Sequence, residues 1–254
     1  MNRIYLDHGA TTPLDADVAA TMISVLQNEY GNPSAVYEEG RRAKRVVEDA
    51  RKAVAKAIGA KPSEIYFTAG GSESDNWAIK GLACKHPGKH IITSAIEHHA
   101  VLHTCDFLAQ QGYRITKVPV DRFGMVDPHE IEKNICEDTC LISIMTANNE
   151  VGTLQPIEQI GAIAKRNRIL FHTDSVQALG AIELNVDDLN VDAMSFSAHK
   201  IYGPKGVGAL YLRRGVAIDG LIHGGAQERK HRAGTENVAG IGGLVQPVRS
   251  HTEI

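Results

Sequence analysis

The sequence predicts an α/β protein with a mostly parallel sheet of seven strands and helices on both faces of that sheet. From residue 64 onward, short β-rich segments alternate with segments of helical periodicity, which is typical of βαβ units. The chain has 254 residues, of which 43% are hydrophobic and 22% are charged. It is therefore long enough to bury a substantial core without a disulfide framework or a structural metal.

Seven segments are rich in β-branched and apolar residues, and we interpret each as a strand. Their ranges are 64–68, 90–94, 114–120, 140–147, 169–174, 193–198 and, with a following turn, 206–215. Helices are predicted between them, where apolar residues recur at helical spacing in 77–83 and 157–164. A long helix is expected from about Ser34 to Ile58, ended by Gly59, and a short one after Asn237.

The predicted domain organisation is an N-terminal arm, 1–14, one large domain, 15–244, and a short divergent tail, 245–254. The net charge is −3 and no block of like charges occurs, which argues against a nucleic-acid-binding protein. The chain contains no run of 18 apolar residues and does not start with a signal-peptide pattern, so we expect a cytoplasmic protein. The four cysteines form no C-x-x-C pair and are expected to be reduced and mostly buried.

Polar residues follow the predicted strands, at the edge where open α/β sheets bind ligands. Gly70, Gly71 and Ser72 come after the first strand and could form an anion site at a helix start, or simply a turn with Ser72 as the helix cap. His98 follows the second strand, where its imidazole lies at a strand-to-helix junction and could be functional or simply a capping or surface histidine. The spacing of His99 and His103 could hold zinc, but the H-E-x-x-H pattern is absent and we predict no metal site.

Two further segments contain residues with a possible binding or catalytic role. Asp174 ends an apolar strand, where a buried carboxylate needs a partner such as a lysine, an arginine or a protonated pyridine nitrogen. Lys200 follows another strand and precedes a Gly/Pro-rich turn. Partial burial would lower the pKa of its amine and make it nucleophilic, although a single lysine after a strand is usually solvated.

In combination these residues resemble the class V aminotransferase group of pyridoxal 5'-phosphate (PLP) enzymes, and within it the cysteine desulfurases of the NifS/IscS type. The resemblance runs from residue 3 to about 244. Its landmarks, in order, are YLDHGATT, YGNPSA, the Gly-Gly-Ser-Glu-Ser turn, Glu97-His98, ANNEVG, HTDSVQ, SFSAHKIYGPKGVG and RAGTEN. The resemblance implies the large domain of the PLP-dependent transferase fold type I, a homodimer, and a role in sulfur transfer for iron–sulfur cluster assembly or thiolated cofactors.

The resemblance also implies a role for each matching residue. Lys200 would form the Schiff base with PLP and move protons on the substrate, and His98 would stack on the pyridine ring and act as an acid/base. Asp174 would bind the pyridinium nitrogen. The remaining cofactor contacts would be Gln177 to the phenolic oxygen, Asn149 to the ring face, Gly71, Ser72, Ser197 and His199 to the phosphate, and Thr235 to the phosphate of the neighbouring subunit.

The chain departs from the family in one important respect. Cysteine desulfurases attack the substrate sulfur with a loop cysteine located well downstream of the Schiff-base lysine, whereas all four cysteines here precede Lys200. Cys84 and Cys105 are predicted on helices, with a role in the core, and Cys136 and Cys140 look equally structural. We expect a chain cut short, with the small C-terminal domain largely missing.

Three functional hypotheses follow from the sequence. The first is a cysteine desulfurase-like protein that converts L-cysteine to L-alanine and passes sulfur to an acceptor or scaffold protein, with weak or no activity alone. The second is a non-catalytic PLP-binding remnant or partner-binding module. The third is a PLP lyase or aminotransferase of the same fold, which would need no loop cysteine.

Overall fold

The computed structural model describes residues 4–245. The predicted tail, 245–254, therefore lies outside the described residues except for Val245. The strands are β1 (Ile65–Thr68), β2 (His90–Ser94), β3 (Arg114–Val118), β4 (Thr139–Ser143), β5 (Leu170–Asp174), β6 (Ala193–Ser197) and β7 (Gly208–Leu212). The helices are α1 (Ala16–Asn28), α2 (Glu38–Ala57), α3 (Gly71–Lys85), α4 (His99–Gln110), α5 (Pro128–Asn134), α6 (Ile157–Asn167) and α7 (Val238–Gly243).

The seven strands form one sheet in the order β1-β7-β6-β5-β4-β2-β3. Strand β7 pairs antiparallel with both β1 and β6, and every other pair of neighbours is parallel. The predicted mostly parallel sheet of seven strands is confirmed. Because β7 alone is reversed, the carboxyl ends of the other six strands meet at one edge, where ligands bind in this class of sheet.

Helices cover both faces of the sheet, as predicted. Adjacent residues of a strand point to opposite faces, so Leu141 and Ile142 of β4 belong to two different core clusters. Helices α3 and α4 pack on the Leu141 side, where Trp77 of α3 is fully buried. Helices α2 and α6 pack on the Ile142 side. Burial on both faces extends to polar residues of the central strands, such as His172 of β5 and Ser195 of β6, which are fully buried and hydrogen-bonded to each other.

The amino-terminal segment reaches across the carboxyl edge of the sheet. The backbone N–H of Thr12 donates to the carbonyl of His199 at 2.9 Å, and the N–H of Asp15 donates to the carbonyl of Tyr202 at 3.0 Å. The Asp15 side chain then caps α1 by accepting from the N–H groups of Asp17 and Val18. The described part of the predicted arm is thus hydrogen-bonded to the loop that follows β6.

Among residues 4–245, no helix is long and apolar enough to cross a membrane.

Candidate active site

A cavity of about 440 Å³ opens at the carboxyl edge of the sheet. It lies where loops after β1, β2, β4, β5 and β6 converge under the amino-terminal segment. The lining includes nine of the ten site residues predicted from the sequence, namely Gly71, Ser72, His98, Asn149, Asp174, Gln177, Ser197, His199 and Lys200. The structure therefore brings together residues that are up to 129 positions apart in the chain.

Lys200 ends a short 3-10 helix, Ala198–Lys200, that directly follows β6. Its Nζ donates hydrogen bonds to the carbonyl oxygens of Gly9 and, at 3.0 Å, Ala10. Burial lowers the pKa of the half-buried amine, and nearby carboxylates, Asp174 foremost, partly oppose that effect. A lysine in this environment has a larger neutral fraction near pH 7 than a solvated one, which favours nucleophilic attack on an aldehyde.

Asp174 ends β5 at the floor of the cavity and is 5% exposed. Its Oδ1 accepts from the backbone N–H of Val176 at 2.9 Å. Burial raises the pKa of the Asp174 carboxyl. Three residues further on, in the turn after β5, the Gln177 amide donates to the carbonyl of Gly9 at 2.9 Å. Gln177 and Lys200 therefore hold the same arm residue.

His98 is the N-cap of α4, and its Nδ1 accepts from the backbone N–H of Ala100 at 3.1 Å. This bond fixes the ring orientation at the mouth of the cavity. Ligand atoms of His98, Asp174 and Asp75 all lie within 4.8 Å of one another, which is the one group with metal-ligand spacing in the described part of the chain. Three neighbouring titratable side chains therefore line the cavity between its mouth and its floor.

The amino end of α3 forms the wall beside Ser197 and His199. The N-cap is Gly70, so the expectation that Ser72 caps this helix is wrong; Ser72 lies in the first turn. Since Gly70 has no side chain to cap the first-turn N–H groups, this end of the helix suits an anion. A Cβ at Gly71 would lie 2.7 Å from Val176 Cγ2, which favours glycine there.

Two of the predicted site residues, Asn149 and Thr235, are less directly placed for contact with a ligand in the cavity. Asn149 lines the cavity, but its amide donates to the Glu150 carboxylate at 3.0 Å. Thr235 does not line this cavity; it borders a smaller one of about 140 Å³ beside Arg232 and a groove against α1. Within one chain, Thr235 is therefore separate from the site that it was predicted to serve.

Sequence reasoning missed two contributors to the site. The first is the arm backbone at Gly9 and Ala10, whose carbonyls bind Lys200. The second is Asp75, a carboxylate on the face of α3 that also carries the buried Ala78 and Ile79. An acidic residue at helical spacing with buried apolar residues is the signal that could have found it.

The burial of the cysteines differs in part from expectation. Cys105 and Cys140 are buried, and Cys136 is half-buried. Cys84 is exposed on α3, so its predicted role in the core is wrong. None of the four cysteines, all of which lie within residues 4–245, lines the cavity.

Glu97 is buried beneath the loop that carries His98. Both of its carboxylate oxygens accept from the backbone N–H of Met145 at 3.0 Å, and Ser94 Oγ donates to one of them at 2.5 Å. Burial nevertheless raises the pKa of Glu97 from its ordinary value of 4.5 to about 8. The folded carboxyl thus keeps its proton over a pH range in which the unfolded one loses it.

This difference predicts how the stability of the PLP-free chain depends on pH. The contribution of Glu97 is fully present below pH 4.5 and is lost as the pH rises toward about 8. Its slope approaches about 1.4 kcal/mol per pH unit for one proton. Urea unfolding at a series of pH values should show this loss, and Glu97→Gln should flatten it. Equal slopes in the parent and in Glu97→Gln would contradict the assignment.

A known family matches this chain along nearly its whole length. The family model described as "Aminotransferase class-V" matches residues 4–253. "Cysteine desulfurase IscS" of Methanosarcina thermophila is 58% identical over 243 residues, which cover 95% of this chain and 60% of that protein. "Putative cysteine desulfurase IscS 1" of Bacillus subtilis is 48% identical, over 100% of this chain and 67% of that protein.

Solved structures give the same result. A "NifS-like protein" superposes with a TM-score of 0.96 at 47% identity, over 99% of this chain and 70% of that one. A structure described as "SspA in complex with cysteine" has a TM-score of 0.95 at 43% identity, over 97% and 72% of the two chains. The chain spans 60% of the length of the Methanosarcina relative and 67% of the Bacillus one.

This family uses PLP, and the donor set of the cavity fits that group. An uncapped helix start with adjacent hydroxyl and imidazole groups suits a phosphate, and a buried carboxylate, Asp174, suits a pyridinium nitrogen. The half-buried amine of Lys200 suits an aldehyde. By sequence, by fold and by the composition of its cavity, the chain belongs to the aminotransferase class-V family, among the homologues of IscS-like cysteine desulfurases.

Proposed function

We propose that residues 4–245 form the PLP-binding part of a cysteine desulfurase-like protein, which converts L-cysteine to L-alanine and transfers the sulfur to an acceptor. The observation that carries the proposal is the convergence of Lys200, Asp174, His98 and the amino end of α3 on one cavity. The similar SspA structure is a complex with cysteine, which supports the same substrate class here.

In this proposal the bound PLP supplies an electron sink for the substrate's α-carbon. Asp174 stabilises the positive charge on the ring nitrogen. The electrostatic attraction is strong because the carboxylate is buried, where the dielectric constant is low. Gly71, Ser72, Ser197 and His199 hold the phosphate, Gln177 holds the ring's phenolic oxygen, and Asn149 contacts the ring face. Lys200 attaches the cofactor.

Lys200 and His98 are the candidates for proton movement. The lowered pKa of Lys200 lets its amine accept the α-proton of L-cysteine and return a proton to the carbon that becomes the methyl group of alanine. His98 stands at the cavity mouth with Nδ1 already accepting a backbone hydrogen bond, which leaves Nε2 for the substrate. The overall reaction balances as L-cysteine plus an acceptor thiol giving L-alanine plus the acceptor persulfide.

The step that cleaves the carbon–sulfur bond needs a thiolate in the cavity. No cysteine of this chain lines it, so we propose weak or no activity for the chain by itself. A small thiol in solution or a thiol from a partner could serve as the acceptor. The same cysteine-free cavity favours, as a second candidate, a PLP lyase or aminotransferase, whose chemistry needs no thiolate.

We also propose that the protein acts as a cytoplasmic homodimer. Thr235 lies outside the cavity of its own chain and borders a groove lined by Leu26 and Tyr30. Leu26 and Tyr30 are 66% and 78% exposed in the single chain, and Ile23 of α1 is also exposed. A second copy that covers this apolar surface could bring a Thr235 to the neighbouring cavity.

The test is product analysis with the purified, PLP-loaded chain, L-cysteine and dithiothreitol. Sulfide and alanine in equal amounts, both lost in Lys200→Ala, would support the desulfurase proposal. Pyruvate with sulfide would instead support a lyase, and conversion of PLP to its amine form an aminotransferase. PLP binding without any product would contradict catalysis by this chain and favour a binding module.

A further inference from the structure

Asp75 is a second buried carboxyl, and like Asp174 it lines the cavity. It projects from α3 and is 1% exposed. Its Oδ1 has no hydrogen-bond partner among the described residues. One of its two carboxylate oxygens lies within 4.8 Å of ligand atoms of His98 and Asp174. An ionised carboxylate in such a place would be both desolvated and close to a like charge, which is a costly arrangement.

The nearest basic group does not compensate this charge. His172 Nε2 lies 3.6 Å from Asp75 Oδ1, but the ring is enclosed between Ser143 Oγ and Ser195 Oγ at 2.9 Å each. Burial lowers the pKa of His172 to about 3, so the ring is neutral at physiological pH. His172 therefore offers Asp75 a neutral neighbour and no positive charge.

The acidic groups around Asp75 also disfavour its ionised form. Asp174 from β5 and Glu97 from the loop after β2 raise the pKa of Asp75, and Ser195 of β6 favours its ionised form. His98 lies within 4.8 Å of both carboxyls, and it and Lys200 favour the ionised form of Asp174. Burial first and Asp174 second raise the pKa of Asp75 well above its ordinary value.

We propose that Asp75 and Asp174 share a single negative charge, that Asp75 keeps the proton, and that Asp75 is a positioning residue that acts through Asp174. A neutral Asp75 leaves the charge of the pair on Asp174, which accepts a hydrogen bond from the Val176 N–H, whereas Asp75 Oδ1 has no such donor among the described residues. One buried negative charge then matches the one positive charge of a protonated ring nitrogen. The second half of this inference rests on the proposed function, whereas the proton on Asp75 does not.

The proton can be tested without the cofactor. Infrared difference spectra of the PLP-free full chain at neutral pH should contain the C=O stretch of a protonated carboxylic acid that Asp75→Asn removes. Asp188→Asn, which changes an exposed aspartate outside the cavity, should leave that band in place. A spectrum without any acid band that depends on Asp75 would overturn the proposal, whether or not the chain binds PLP.

Urea unfolding of the same PLP-free proteins gives an independent readout. The folded pKa of Asp75 is raised, so its contribution to stability is present at low pH and is lost as the pH rises above the unfolded value. Asp75→Asn cannot ionise and should lose less stability than the parent between neutral and alkaline pH. A uniform change at every pH would show a structural role only and would contradict the shared charge.

The effect on the cofactor is tested by PLP titration. Asp75→Asn keeps the shape and neutrality of the protonated acid, so we expect parent-like affinity and an unchanged absorption spectrum between pH 6 and 9. Asp75→Ala leaves a void beside Asp174 and should weaken binding. If the Asn variant is as weak as the Ala variant, the ionised form of Asp75 is the functional one and the proposal is wrong. If no variant and no parent binds PLP, the proposed function fails while the infrared result still decides the state of Asp75.

Discussion

Lys200→Ala is expected to abolish covalent attachment of PLP to the chain and, with it, any turnover of L-cysteine. Lys200 is the lysine among the residues that line the 440 Å³ cavity, and burial lowers the pKa of its amine. Alanine leaves no nucleophile for the aldehyde of the cofactor. Borohydride reduction of the PLP-loaded protein, followed by peptide mass mapping, should find the cofactor on the peptide that contains Lys200 and none on the variant.

The chain contains a matched control for this experiment. Lys205 lines the neighbouring pocket beside Gly70 and Gly71 but does not line the main cavity. Lys205→Ala should therefore retain covalent PLP and the same labelled peptide as the parent. Labelling of Lys205 in the parent, or undiminished labelling of Lys200→Ala, would place the attachment site elsewhere.

Glu228→Ala is expected to cause the largest loss of stability. Glu228 and Arg51 form a buried bidentate ion pair with two contacts of 2.8 Å, at exposures of 5% and 3%. Glu228 also accepts from the backbone N–H of Phe67 in β1 at 2.9 Å. Among the described residues, the one acidic partner left to Arg51 would be the partly exposed Glu48, at 3.2 Å, so its buried charge would be poorly compensated. Removing one partner of a buried pair costs about 3–5 kcal/mol. Urea unfolding should show a loss of that size.

The same substitution should disturb the segment that carries Thr235. Glu228, Arg229 and Lys230 have φ values of 40°, 57° and 70°, which are unfavourable for side chains other than glycine. The ion pair to Arg51 holds this strained turn against the sheet. Limited proteolysis should therefore cut near residues 222–237 faster in Glu228→Ala than in the parent.

An exposed ion pair provides the control for the buried one. Glu38 and Arg41 of α2 pair at 3.3 Å with side chains more than half exposed. Glu38→Ala should change the free energy of unfolding by about 0–1 kcal/mol. The double variant Arg51→Met/Glu228→Leu should be more stable than Glu228→Ala, because it removes both buried charges. Comparable losses in Glu38→Ala and Glu228→Ala would contradict this expectation.

The positions of the strands could be predicted from the sequence because they depend on local patterns. Every predicted strand range overlaps an observed one, and the helix expected over 34–58 is observed as Glu38–Ala57. The direction of β7 could not be predicted in this way. It depends on hydrogen bonds between distant residues, such as the pairing of Gly208 with both Thr68 and Ser197.

The same distinction between local sequence patterns and tertiary packing applies to the site residues. Polar residues that directly follow a strand, such as Asp174 and Lys200, could be found because parallel strands bring their carboxyl ends to one edge. Asp75 and the carbonyl of Gly9 were not predicted, because their place in the site depends on how α3 and the arm pack on the sheet. The assignment of Cys84 to the core failed for the same reason.

The sequence by itself therefore determined the family, the mostly parallel α/β sheet and a set of candidate cofactor residues, because each is encoded in contiguous motifs and short-range periodicity. The tertiary structure alone decided that nine of those residues share one cavity, that Thr235 lies outside it, and that Asp75 lies buried beside Asp174. Burial and the distance between two charges depend on every element that packs around them, and these two quantities set the protonation states on which the proposed chemistry rests.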